Sequence, residues 1–259
     1  MSKQSDDAVI EEFKSRIHVS LQAFCNAPKR TGKNLSADGF SEKSIDNLTA
    51  IDARDCLRAI EKGIVIDDGN GQFTVAQSKA KEQLFWEGKK TLPPEPRPIF
   101  LWLEPVITFA AMTRLHETYN WPKECLGMQT KDWKFDMAVH MPESKPTDPA
   151  YILGEVKTTI GQIDLMVECL LFFRFKDHEE FDSAFEVIRK SDSNLRTLNK
   201  DKLKNSHRKW CSLLANRPQL FWALGPGGYS RVFEVADAPQ GNITLTEVSD
   251  DRLQCPFRV

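Results

Sequence analysis

Two short segments of strand-like composition carry charged side chains, and they restrict most strongly what this chain can fold into. The first is "KFDMAV" (134–139), with Asp136, and the second is "ILGEVKT" (152–158), with Glu155 and Lys157. Strand interiors favour β-branched and aromatic residues and are depleted in Asp, Glu and Lys. Charges at such positions therefore either face solvent or take part in binding or chemistry.

The alternation of side chains along a strand predicts where these charges point. Asp136 shares a face with Ala138, and Glu155 shares a face with Lys157. Apolar neighbours frame each charge, which indicates that both strands are largely buried. Buried carboxylates are costly unless they are paired or bound to a cation. Two carboxylates that converge beside a lysine would suit Mg²⁺, which takes oxygen ligands and keeps several waters.

The sequence around these segments predicts an α/β domain with a mixed β-sheet flanked by helices. An apolar helix is expected in "IFLWLEPVITFAAMTRLHETY" before the two strands, and a second in "GQIDLMVECLLFFRF" directly after them. A charged helical stretch from 179 to 214 and three further strands, "QLFWAL", "SRVFEV" and "ITLTEV", complete the pattern.

The N-terminal third has a different pattern. A helix is predicted over 6–24, a second helix opening at Ser41, and a hairpin around the Gly-rich turn of 61–76. This order loosely resembles a winged-helix arrangement, and a plain helical subdomain with a small hairpin is the alternative. The Pro-rich segment of 91–98 is the best internal boundary, so we expect a recognition domain over 1–92 and a catalytic domain over 93–259.

Composition excludes several classes of protein. The formal net charge of −2 is not that of a generally basic nucleic-acid binder, so a polyanion would have to meet a local basic patch. The six cysteines are scattered without zinc-ligand or redox spacing. A polar N-terminus and the lack of a run of about 18 apolar residues lead us to expect a cytoplasmic protein without membrane association.

Asp136 followed by Glu155-Val156-Lys157 resembles the Asp…Glu-x-Lys signature of the PD-(D/E)XK nuclease superfamily, the restriction-endonuclease-like proteins. The helix before the signature, the hairpin that carries it and the helix after it are similar too. The resemblance covers residues 99–248. One departure is Phe135, which stands where the family usually has proline before the aspartate.

The resemblance implies roles for individual residues. Asp136, Glu155 and the carbonyl of Val156 would bind Mg²⁺ or Mn²⁺, and Lys157 would orient the attacking water and stabilise developing phosphorane charge. Glu104 is the candidate for the acidic residue that the family often adds from the preceding helix, with helix capping or surface placement as the alternative.

A glutamine at the start of the helix after the signature contacts the site in several branches of the family, and Gln162 has that position. An ordinary polar residue at a helix N-terminus is the alternative.

One cationic run stands out in the chain. Either it is a solvated helix face, or it contacts phosphates, where affinity would come mainly from counterion release. Its members are Arg189, Lys190, Arg196, Lys200, Lys202, Lys204, Arg208 and Lys209.

These features together predict a metal-dependent nuclease that hydrolyses phosphodiester bonds, with DNA as the expected substrate and a restriction or phage-defence setting as a fitting context. A protein partner or a homodimer stays open. Two other interpretations also stay open: a nuclease-like module that binds nucleic acid without cutting it, and a structural subunit of a larger complex.

Overall fold

The computed structural model describes residues 5–91, 94–130, 134–144, 148–173, 181–190 and 194–257. Its described part holds six α-helices, one six-stranded mixed sheet and two two-stranded sheets. The helices are α1 (Asp6–Asn26), α2 (Ala50–Glu61), α3 (Leu103–Glu117), α4 (Ile160–Phe173), α5 (Phe181–Lys190) and α6 (Lys200–Asn216). No helix in this part of the chain is long and apolar enough to cross a membrane.

The strands form one main sheet and two small sheets. In the main sheet lie β5 (Leu126–Thr130), β6 (Phe135–Val139), β7 (Ile152–Val156), β8 (Leu220–Leu224), β9 (Ser230–Asp237) and β10 (Ile243–Val248). The small sheets are β1 (Ile66–Asp67) with β2 (Phe73–Thr74), and β3 (Phe85–Glu87) with β4 (Ile99–Leu101).

The main sheet has the order β10-β9-β8-β7-β6-β5. β7 and β8 are parallel, and the other neighbouring pairs are antiparallel. A parallel pair needs a long crossover connection, and α4, α5 and α6 lie in the chain between these two strands. The expected mixed α/β architecture is therefore confirmed at this level.

Two hydrophobic clusters cover the two faces of the main sheet. On one face, Met137, Val156 and Trp222 belong to a cluster that also holds residues of α1, α2 and α3. On the other face, Leu153 and Phe221 belong to a cluster with residues of α4, α5 and α6. Both faces of the sheet are consequently buried, which explains why β7 and β8 are apolar at nearly every position.

The second helix begins later than predicted, at Ala50 rather than Ser41. Only a short 3₁₀ turn, Glu42–Ile45, forms in the earlier segment. Thr49 ends the extended segment as a cap, because its hydroxyl accepts a hydrogen bond from the Asp52 N–H at 3.2 Å and donates one to the Asp52 carboxylate at 2.7 Å. The Thr49 hydroxyl thus caps the helix by accepting from one of the free N–H groups of its first turn.

The helix predicted from Ile99 is also shorter, because Ile99–Leu101 forms β4 and pairs with β3. Pro105 explains the difference. Proline has no N–H and is tolerated only in the first turn of a helix, and a helix that began at Ile99 would place Pro105 well inside it. With Leu103 as the first residue, Pro105 lies in the first turn.

Further elements differ from the sequence prediction, and one of them is the unpredicted strand β3. β5 was not predicted, and it pairs along β6 with Leu126 opposite Val139. The charged helical stretch of 179–214 contains α5, a 3₁₀ turn at Asn194–Thr197 and α6 rather than one helix, and residues 179–180 and 191–193 lie outside the described ranges. The helix at 6–24 and the hairpin of 61–76 are confirmed.

The N-terminal third and the sheet share one hydrophobic cluster. Val9, Phe24 and Cys56 belong to the same cluster as Met137 and Trp222. α2 packs against α3, and Arg114 of α3 forms ion pairs with two carboxylates of α2. The division at 92/93 stays a prediction, and its two parts are in close contact across this core.

Candidate active site

The two charged strands, β6 and β7, lie side by side, and their charged residues lie near the carboxyl end of β7. β6 and β7 are antiparallel, with Met137 opposite Gly154 and Ala138 opposite Leu153. Continuing this register by one residue sets Asp136 opposite Glu155. Asp136 reaches across to β7, where its Oδ2 accepts a hydrogen bond from the Val156 N–H at 2.8 Å. The structure thus brings the two predicted carboxylates together on the face of the sheet that α4 and α6 cover.

Glu155 is buried and lies between two ammonium groups. Lys157 Nζ donates to its Oε1 at 2.5 Å, and Lys209 Nζ donates to its Oε2 at 2.6 Å. The Glu155 side chain is 4% exposed and that of Lys209 is 8% exposed. A buried carboxylate needs such partners, because an isolated charge in the interior is costly.

Lys157 connects three groups of the site. Besides Glu155, its Nζ donates to the Val156 carbonyl at 2.7 Å and lies 3.7 Å from Glu104 Oε1. Burial opposes the charge on Lys157, but Glu155, Asp136 and Glu104 outweigh it and raise its pKa above the ordinary value. Lys157 is consequently held as a cation, which suits electrostatic stabilisation of negative charge better than proton abstraction.

Asp136 has the most perturbed acidity of the site. Burial and then the neighbouring Glu155 carboxylate raise its pKa to about 8, although Lys157, Lys209 and the Val156 N–H act in the opposite direction. Desolvation and a like charge both disfavour an ionised carboxylate. Asp136 is therefore protonated at neutral pH unless a further cation joins the pair.

Glu104 lies in the first turn of α3 and points toward Lys157. The N-cap of this helix is Trp102, without a side-chain capping bond, so the capping alternative for Glu104 is wrong. Its Oε2 instead accepts a hydrogen bond from the Trp102 indole N–H at 3.3 Å. In the described part of the chain, no three His, Cys, Asp or Glu side chains lie close enough to form a metal-binding group, so Glu104 does not complete a three-carboxylate set with Asp136 and Glu155.

Gln162 lies in the first turn of α4, at the mouth of the site. Its backbone N–H donates to Thr159 Oγ1 at 3.3 Å, and its side-chain Oε1 accepts from Thr158 Oγ1 at 3.3 Å. The residue is exposed, so the structure leaves its side chain able to face a ligand in the cleft.

A cleft of about 270 Å³ opens directly beside these groups. Polar residues that line it come from α3, from the end of β7, from α4 and from α6. They are Glu104, Lys157, Gln162, Lys202, Asn205, Ser206 and Lys209. Side chains from four elements of the chain thus line one cleft. Three of these polar residues are lysines.

Lys209 differs from the rest of the cationic run. It is buried, it donates to the Lys134 carbonyl at 2.8 Å as well as to Glu155, and its Nζ lies 5.1 Å from the centre of the Phe135 ring. It therefore cannot serve as an exposed phosphate contact as predicted. Its place in the site was missed, although Lys202 and Lys209 are seven residues apart and so lie on one helix face.

The other members of the run are exposed on α5, α6 and the turn between them. Lys200 forms an ion pair with Asp182 at 2.8 Å. Lys202 alone of the exposed members lines the cleft. The exposed members that do not line it are Arg189, Lys190, Arg196, Lys200, Lys204 and Arg208.

The chemistry of the donor set fits a hard divalent cation. Asp136, Glu155 and the Val156 carbonyl offer oxygen atoms, and Mg²⁺ commonly binds through one or two carboxylates while it keeps waters. Both Glu155 oxygens and the Val156 carbonyl now accept from ammonium groups. An ion bound at Glu155 Oε1 and the Val156 carbonyl would share these oxygens with the Lys157 ammonium or displace it.

Comparisons of the chain with protein-family models, with curated proteins and with solved structures give no match.

Proposed function

We propose that this chain is a metal-dependent nuclease that hydrolyses phosphodiester bonds, with DNA as the expected substrate. The observation that carries the proposal is the convergence of Asp136, Glu155 and Lys157 at the end of β7, next to a cleft lined by further lysines. Perturbed acid groups beside a cleft are typical of functional sites.

The residues of the site have complementary tasks in this proposal. Asp136, Glu155 and the Val156 carbonyl would hold Mg²⁺ or Mn²⁺, which when bound acts as a Lewis acid on a phosphoryl oxygen and lowers the pKa of bound water. Lys157 and Lys202 face the cleft as cations and would attract and orient the phosphate. Lys209 holds the Glu155 carboxylate in place from α6.

The test is cleavage of several nucleic acids by the purified chain. Supercoiled plasmid, linear duplex, single-stranded DNA and RNA are incubated with Mg²⁺, with Mn²⁺ or with EDTA. We expect cleavage that needs the metal and that falls by about 10²-fold or more in Glu155→Gln and in Lys157→Met, since each change removes charge directly at the reacting centre.

Glu117→Gln is the matched control for the carboxylate change. Glu117 also lies between two cations, Arg58 and Lys62, but at the other end of α3. Its variant should cleave like the wild type. Cleavage that persists in Glu155→Gln, or its absence with every substrate and metal, would reject the nuclease assignment.

A second candidate function has an observation in its favour. Both oxygens of Glu155 already accept from lysines, and so does the Val156 carbonyl, so the site is electrostatically paired without a metal. A module that binds nucleic acid without cutting it would need no more than this. Equal binding of DNA with and without Mn²⁺, and no cleavage, would support this candidate.

A further inference from the structure

Three aromatic side chains occupy the exposed face of the two-stranded sheet β3–β4. Phe85, Ile99 and Leu101 point into the core, whereas the residues between and after them point outward. Trp86 lies opposite Phe100 across the two strands, with ring centres 5.0 Å apart and planes inclined by 28°. Trp102 follows, and its backbone N–H donates a hydrogen bond to the Leu84 carbonyl, so the strand pairing continues through Trp102.

We call Trp86, Phe100 and Trp102 the aromatic stripe. Trp86 is 48% exposed and Trp102 is 38% exposed. A cross-strand aromatic pair stabilises a small sheet, which accounts for Trp86 against Phe100. It does not account for Trp102, one pair further along, where a large apolar surface is kept in contact with water.

The aromatic stripe ends at the candidate active site. The indole N–H of Trp102 donates to Glu104 Oε2 at 3.3 Å, and Glu104 Oε1 lies 3.7 Å from Lys157 Nζ. Positions 100 and 102 are about 6.6 Å apart along the strand. Glu104 also lines the cleft with Lys157 and Lys202, so the stripe adjoins the cleft at this residue.

Positive charge lies at both ends of the aromatic stripe. Lys89 and Lys90 are exposed and follow β3 at the end that is remote from the cleft, and the cleft lysines are at the other end. Cations that flank aromatic surfaces are the combination that binds single-stranded nucleic acids, because the backbone meets the charges and the bases stack on the rings.

We propose that the aromatic stripe binds unpaired bases next to the cleavage site, so that the chain acts on single-stranded or locally unpaired nucleic acid. This inference rests on the proposed nuclease function for its meaning, since it names the substrate class of the same site. The stripe would bind bases by stacking on their faces. Bases inside a duplex have their faces covered by neighbouring base pairs and cannot stack on the stripe.

The test measures binding of the full chain in EDTA, which separates it from cleavage. A short fluorescein-labelled oligothymidylate and a blunt hairpin duplex are titrated by fluorescence anisotropy. The Trp86→Leu/Trp102→Leu double variant should bind the single strand about 10- to 100-fold more weakly, because base stacking on each ring is lost. Its affinity for the duplex should stay unchanged.

Two controls separate stacking from folding. Trp86→Phe/Trp102→Phe keeps aromatic faces and should recover most of the affinity for the single strand. Phe257→Leu changes another exposed aromatic residue, one that does not line the cleft, and should bind like the wild type.

Unchanged affinity of the leucine variant for the single strand would overturn the inference, and so would an equal loss on the duplex. A dimer in sedimentation experiments that the leucine variant dissociates would assign the stripe to self-association instead and would also overturn it. Failure of the nuclease proposal would be observed differently: the wild type would cleave nothing in Mn²⁺, whatever the binding of the stripe variants.

Discussion

Asp136 couples acidity, stability and function in one side chain. Burial and the Glu155 carboxylate raise its pKa to about 8 in the folded chain, whereas an aspartate in an unfolded chain ionises near pH 4. The folded state therefore binds one more proton than the unfolded state between these values. Stability from this group is full below about pH 4 and is lost as the pH rises toward 8.

Asp136→Asn should consequently stabilise the fold in a pH-dependent way. The amide carries no charge and its oxygen can still accept the Val156 N–H. We expect no gain near pH 4, and a gain that grows up to about pH 8, where the difference of about four pKa units corresponds to roughly 5 kcal/mol. Urea unfolding at a series of pH values measures it, and the same variant should have lost cleavage.

The exposed carboxylate of Asp237, which pairs with Arg217 on the surface, supplies the control. Asp237→Asn should change the free energy of unfolding little at any pH. A gain for Asp136→Asn that is equal at all pH values would show that repulsion of the ionised carboxylate is not its cause.

Lys209 acts on stability through Glu155, because its buried ammonium group pairs with the buried Glu155 carboxylate. Lys209→Met keeps the length of the side chain and removes the charge, which leaves a buried carboxylate with Lys157 alone. We expect a loss of roughly 2–4 kcal/mol in the free energy of unfolding. Adding Glu155→Gln should restore part of that loss, because the unpaired charge is then gone.

Lys200→Met is the matched control on the same helix. Lys200 and its partner Asp182 have side chains that are 56% and 83% exposed, so the change should alter the free energy of unfolding little. If the two variants were equally stable, the contact between Lys209 and Glu155 would not support the fold.

At the scale of elements, α6 presents two chemically different sides. Lys202, Asn205, Ser206 and Lys209 line the cleft, and their spacing of three, four and seven residues places them on one side of the helix. Lys204 is two residues from Lys202 and therefore points to the other side. The cationic run is thus not one surface, which a count of charges along the sequence does not reveal.

The two sides should differ in their contribution to nucleic-acid binding. Lys202→Ala should weaken binding and lower by about one the slope of log K against log salt concentration, because one phosphate contact is lost. Lys204→Ala should leave that slope nearly unchanged. Anisotropy titrations at several salt concentrations measure both, and a larger effect for Lys204 would place the nucleic acid on the outer side of α6.

At the scale of the whole molecule, a buried ion pair joins the N-terminal helices to the sheet. Asp52 of α2 is fully buried, and it accepts from Arg114 of α3 at 2.6 Å and from the Gly227 N–H between β8 and β9 at 2.6 Å. One carboxylate therefore ties together three parts of the chain that are far apart in sequence.

Cooperative unfolding tests this connection. With a shared core and this ion pair, we expect one transition in urea, followed by the same midpoint in tryptophan fluorescence and circular dichroism. Arg114→Met should lower the midpoint of that single transition, since it leaves buried Asp52 without its cation. Two separate transitions, with only the first one moved by Arg114→Met, would instead favour two independent domains.

Much of the local structure was predictable because its causes are local. Alternating apolar residues indicated β6 and β7, apolar stripes indicated α1 and α4, and Gly-rich turns indicated the hairpins. The errors at the helix starts also have local causes, because the Thr49 cap and Pro105 determine where α2 and α3 begin. β5 escaped because a strand rich in Gly, Met and Gln carries little β-propensity and forms by pairing with β6.

What the sequence by itself determined is the identity of β6 and β7, and with it the side of the sheet to which Asp136 and Glu155 belong, because alternation follows from backbone geometry. Only the tertiary structure decided which groups meet them there. Lys209 is 54 residues from Glu155 along the chain, and Trp86 faces Phe100 through the pairing of β3 with β4. Such contacts arise because the packing of helices and strands brings together segments that are distant in the sequence. A local sequence pattern does not specify which distant segment a residue will contact.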